Sequence, residues 1–114
     1  MFSKELLKGT LKTIILRLLE EKGKMYGYEI TQHVKALSGG KLVLTEGALY
    51  PTLHKLESEG LLKTEKVFLG KRTRKYYALT PAGNQATSIK LEEFQEFVTA
   101  MQMILYPKTK PDVN

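Results

Sequence analysis

A chain of 114 residues with 42% apolar content and no cysteine holds enough for one compact core, but nothing for disulfides or thiolate metal sites. Arg17 and then Glu20-Glu21 interrupt the longest apolar run, and residues 1–4 lead into no signal-peptide core. No membrane partner and a cytoplasmic address are therefore expected. The formal net charge of +6 is uneven: residues 63–75 hold six Lys/Arg against Glu65 alone, an excess of +5 in 13 residues. Charge alone does not decide whether that stretch is a nucleic-acid footprint or a solvated hairpin whose lysines blunt an edge strand.

In chain order, Leu7, Leu11, Ile14, Ile15, Leu18 and Leu19 recur at helical spacing and predict one helix over residues 4–21, weak at Gly9-Thr10 and ended by Gly23. A second helix opens in Tyr26-Gly27-Tyr28-Glu29-Ile30 and runs to about Ser38, with Ile30, Val34 and Leu37 as its stripe. Gly39-Gly40 end it, and residues 41–44 read as an extended link and a candidate first strand of a small sheet. Tyr26 and Tyr28 either aim hydroxyls at phosphates, or one ring enters the core and the other caps its edge. His33 has no partner at metal-ligand spacing, so no metal or other cofactor is expected.

Thr45 caps a third helix with Glu46 in its first turn, and Leu49, Leu53 and Leu56 share one face up to the stop at Gly60. Pro51 is the discordant residue: either the first turn is irregular, or the regular helix begins near Tyr50. Residues 61–69 and 74–79 read as strands around a tip Gly70-Lys71-Arg72-Thr73. A polar-faced helix followed at once by a basic hairpin is the plan of a winged helix-turn-helix, mainly α with a small β-hairpin. Its helix would enter a major groove of double-stranded DNA while the hairpin reaches the backbone. Thr45, Glu46, Gly47 and Ala48 form the small leading end, with Tyr50, His54 and Lys55 as the longer side chains beside it. With no Arg, Asn or Gln on this helix, base reading is expected to be weak or partly indirect.

Thr80-Pro81 signals the start of a last, long helix to about Tyr106. Leu91, Phe94, Val98, Met101 and Leu105 step by three or four, with Phe97 and Ile104 beside them. Three short helices cannot cover a stripe of that length, which argues for a homodimer over a fold-back onto the first helix. Phe94, Phe97 and Met101 of facing helices would line either a filled core or a space for a small apolar or aromatic effector. The expected organisation is a DNA-binding domain over 1–80, a dimerisation helix over 81–106 and a disordered tail over 107–114.

Gly9-Thr10-Leu11, Tyr26-Gly27-Tyr28-Glu29-Ile30, Gly47-Ala48-Leu49-Tyr50-Pro51-Thr52-Leu53, Leu56-Glu57-Ser58-Glu59-Gly60-Leu61 and Arg74-Lys75-Tyr76-Tyr77-Ala78-Leu79-Thr80 occur in this order. In these five motifs the chain resembles PadR-type transcriptional regulators, of the short subclass with a single C-terminal helix, over roughly residues 9–83. The resemblance implies a winged-helix homodimer that usually represses detoxification, efflux or stress genes. It places DNA contacts on Tyr26 or Tyr28, on Thr45, Glu46, Gly47 and Ala48, on Tyr50 and Lys55, and on Lys71, Arg72, Arg74 and Lys75. Ala48 stands where many members carry Thr. The alternative is a winged-helix module whose basic hairpin faces an acidic protein. No paired-carboxylate, Ser/His/Asp or glycine-rich phosphate-loop pattern points to an enzyme.

Overall fold

The break in the first helical stretch sets up everything that follows. In the computed structural model, which describes residues 2–108, the single helix expected over 4–21 is two: α1, Lys4–Lys8, and α2, Leu11–Lys22. The Thr10 hydroxyl donates to the Leu7 carbonyl at 3.1 Å and its backbone N–H donates to the same oxygen at 3.0 Å, so the chain turns at Gly9-Thr10 instead of continuing. Leu11, Ile15, Leu16, Leu18 and Leu19 of α2 are buried, making it the central helix of the core.

The strand expected at 41–44 is not there; the sheet takes its third strand from β1, Lys24–Tyr26. The order is β1-β3-β2, all antiparallel, with β2 at Leu62–Leu69 and β3 at Arg72–Leu79. Met25 opposes Tyr77 across β1 and β3, and both are buried, so this short strand is fixed by core packing that a three-residue segment cannot announce. Helix α3, Gly27–Leu37, follows directly, and Glu29 accepts from the Tyr26 backbone N–H at 3.1 Å to hold its entry.

Helix α4 settles the Pro51 question: it runs unbroken over Glu46–Ser58 with Pro51 inside. Thr45 accepts from the Ala48 N–H at 3.2 Å, and Thr52 donates its hydroxyl to the Ala48 carbonyl at 2.9 Å, one turn back in the region where proline removes a helical donor. Leu49, Leu53 and Leu56 are fully buried, as their spacing requires. The hairpin is tighter than the sequence suggests. Leu69 pairs with Arg72, leaving a two-residue turn, Gly70-Lys71, in which Gly70 has φ +64° while among the described residues no non-glycine has positive φ. That is the II′ pattern, which matches the twist of the two strands.

Helix α5, Pro81–Leu105, starts where the Thr80 hydroxyl accepts from the Gly83 N–H at 3.0 Å and donates to the Gly60 carbonyl at 2.6 Å. Its first turns fold back on α2, burying Gly83 and Thr87, and the rest leaves the domain. The overall extents, 67 × 30 × 21 Å, reflect that projecting rod. The fold is a winged helix-turn-helix with a long C-terminal helix. Most of the expected tail, residues 109–114, lies outside the described residues.

Candidate nucleic-acid interface

The α3 N-terminus, the exposed flank of α4 and residues 73–77 of β3 enclose an open cleft of about 380 Å³. It joins six of the side chains marked in the sequence: Tyr26, Tyr28, Tyr50, His54, Arg74 and Lys75. Tyr28 is 63% exposed at its mouth. The Tyr50 ring lies against Gly27 and 6.5 Å from the His54 ring. Tyr26 is not a core ring: it lies half-buried on the sheet, edge-on to Tyr76 at 5.4 Å, with the Arg74 guanidinium 4.0 Å from its centroid. A cation held over an aromatic face gains about 0.5–2 kcal/mol, so Arg74 is held in place two rungs from the pair that closes the hairpin turn. Lys75 lies 3.7 Å from Glu57, a half-exposed pair that leaves its charge available to a ligand.

The remaining marked residues fall elsewhere. Thr45, Gly47 and Ala48 face a second cleft of about 530 Å³ against α1, whose walls include Phe2, Lys4, Leu7 and Val43. Glu46 is exposed in the first turn of α4. Lys55 is carried away from Tyr50 and His54 by the helical turn and joins Lys8, Lys12, Lys90 and Phe94 around a third cleft of about 290 Å³. Lys12 there is paired with Glu59 at 3.0 Å. Lys71 and Arg72 are exposed at the hairpin tip, outside all three clefts.

Two features were missed in the sequence. Lys66 pairs directly across from Lys75, a cation ladder that the period-two alternation of both strands would have shown. Phe68, counted only as a strand residue, is 76% exposed next to the tip. Among the described residues no three His, Cys, Asp or Glu side chains are grouped to hold a metal, and no helix is long and apolar enough to cross a membrane.

The pattern of the transcriptional regulator PadR-like family matches residues 15–89. The chain belongs to the PadR-like family. A transcriptional regulator from Clostridium thermocellum superposes with a TM-score of 0.83 at 30% identity, covering 90% of this chain and 99% of that one. Over 63 residues, 55% of this chain and 56% of the relative, it is 41% identical to the transcriptional regulator Rv3488 of Mycobacterium tuberculosis. It is 38% identical to the negative transcriptional regulator PadR of Bacillus subtilis over 76 residues, 66% of this chain and 41% of that protein. The B. subtilis PadR structure, solved in complex with operator DNA, superposes with a TM-score of 0.64 at 28% identity, over 91% of this chain and 51% of that one. This PadR-like chain is a transcriptional regulator, and its family is one of regulators, not enzymes.

Proposed function

We propose that the chain acts as a homodimeric repressor that binds double-stranded DNA through α4 and the hairpin. The observation that carries this is the convergence of Tyr28, Tyr50, His54, Arg74 and Lys75 on one cleft, with Lys71 and Arg72 extending the positive charge beyond it. Residues 1–80 are the DNA-binding domain and 81–106 the dimerisation helix. In this reading the leading end of α4, Thr45 to Ala48, enters the major groove, where small side chains let the backbone come close to base edges. The hairpin cations hold the adjacent phosphates. Repression is supported by the name of the B. subtilis relative, and DNA as partner by its complex. Lys55, turned into the cleft near α5, approaches a phosphate only from the flank.

Dimerisation rests on α5. Leu91, Val98 and Met101 are partly covered, but Phe94, Phe97, Ile104 and Leu105 are exposed at 36%, 55%, 68% and 60%. A second copy of the helix would cover them. The Phe94 and Phe97 rings lie 6.3 Å apart at 33°, an open aromatic pair that supports a flat apolar effector between subunits. Such an effector would change the separation of the two reading helices and so the affinity for DNA.

The test is a fluorescence-anisotropy titration onto promoter DNA of the chain's own gene and onto a scrambled duplex, each at two salt concentrations. Tighter binding to the promoter at both salts is expected. Equal binding that vanishes with salt would overturn the reading and leave only a basic surface.

A further inference from the structure

The hairpin tip carries two large apolar side chains where a purely electrostatic clamp needs none. Phe68 is 76% and Leu69 45% exposed, and no core residue reaches them. Phe68 lies six steps along β2 from Leu62, the last buried position of that strand, so its ring stands about 20 Å out along it. Directly paired residues share a face of the ladder. Phe68 pairs with Thr73, and one step back on the same face Lys66 pairs with Lys75. On the opposite face Leu69 pairs with Arg72, and Val67 with Arg74. The tip is therefore an apolar point with cations behind it on both faces and Lys71 at the turn.

That arrangement complements a minor groove: phosphates on both walls meet the cations, and base edges between them meet the ring. A protein partner would need a far wider apolar surface than two side chains. We infer that Phe68 is an apolar wedge that enters the minor groove beside the major groove read by α4 and partly unstacks one base step. Because pyrimidine–purine steps open most easily, the wedge contributes sequence preference at a position without base hydrogen bonds. This matters here because α4 carries no Arg, Asn or Gln to read bases directly. The inference rests on the DNA-binding reading above.

The experiment compares wild type, Phe68→Ala and Phe68→Leu on promoter duplexes with 2-aminopurine placed in turn at each step flanking the protected region. Wild type should raise 2-aminopurine fluorescence at one step in each half-site. Phe68→Ala should abolish the rise and cut the promoter-to-scrambled affinity ratio at least fivefold. Its salt slope should be unchanged, since every cation remains. Phe68→Leu should keep part of both signals. A Phe68→Ala variant with unaltered fluorescence and affinity ratio overturns the wedge while leaving DNA binding intact. Wild type without preference for the promoter overturns both readings. The side chain is exposed, so thermal melts of the variants should coincide with wild type.

Discussion

At the scale of single residues, the close approach of Gly27 to Tyr50 is the contact that orders the cleft. A Cβ on Gly27 would lie 2.3 Å from the Tyr50 Oη and 2.8 Å from its Cζ. Gly27→Ala must therefore swing the ring out, costing about 1–3 kcal/mol of stability by overpacking and weakening promoter binding. Tyr50→Phe removes the nearest atom, so a double-mutant cycle by urea denaturation should show the pair less destabilised than the separate changes sum to. The Tyr77 phenol, 2% exposed, is pushed above its ordinary value of 10.0 first by burial, then by Glu57 and Tyr50. The fold thus favours the neutral phenol. Its contribution is complete below about pH 10 and is lost as pH rises through the higher folded-state value. Urea midpoints should therefore fall above about pH 10 more steeply for wild type than for Tyr77→Phe, and equal slopes would show that another group carries the alkaline loss. Both contacts involve residues of motifs visible in the sequence, yet neither was legible there. Which tyrosine approaches which glycine is a tertiary fact, and the expectation that Tyr26 or Tyr28 would enter the core fits neither ring.

At the scale of elements, the legible parts are those whose signal is local. The Leu49, Leu53 and Leu56 stripe, the Thr45 and Thr80 caps and the tip at Gly70 all stand where spacing and backbone chemistry put them. The split of α1 from α2 and the placement of β1 depend on hydrogen bonds and burial supplied by distant segments, and the local pattern misled there. The seating of α5 is another such junction. A Cβ on Gly83 would lie 2.1 Å from the Leu61 carbonyl oxygen, which is backbone and cannot swing aside. Gly83→Ala should cost about 3 kcal/mol, at the upper end for overpacking, and should raise hydrogen exchange at the start of α5. Wild-type exchange there would show that the strands shift to accommodate it. The hairpin makes a separable claim. Arg72→Ala with Arg74→Ala should weaken binding to promoter and scrambled duplex alike and flatten the salt slope by about 0.9 for each phosphate that is no longer neutralised. Unchanged affinity would remove the hairpin from the interface.

At the scale of the whole molecule, the radius of gyration, 16.9 Å, exceeds the roughly 13 Å expected of a compact chain of this length. The excess is α5. Gly83 and Thr87 are buried where the first turns of α5 meet the domain, and the same helical face continues through Leu91, Phe94, Val98, Met101 and Leu105 after the domain beneath it has ended. The sequence showed the stripe and its length but not the point at which self-coverage stops, since that depends on how far α2 reaches. The fold-back onto the first helical stretch and the open stripe turn out to be successive portions of one face. Exposed apolar surface of this extent is what obligate helix pairing removes from water, at about 25 cal/mol per Å². Phe94 sits near the point where self-coverage gives out, beside Lys8, Lys12, Lys55 and Lys90. An aspartate there meets positive charge within its own chain, so Phe94→Asp should fold, yet it would place a charge in the proposed seam between copies. Sedimentation velocity at micromolar concentration should show wild type as a dimer and Phe94→Asp shifted toward monomer, with promoter affinity reduced because one reading helix must bind alone. A Phe94→Asp protein that still sediments as a dimer would put the seam on another face of α5, and the aromatic pair would then lose its claim to an effector between subunits.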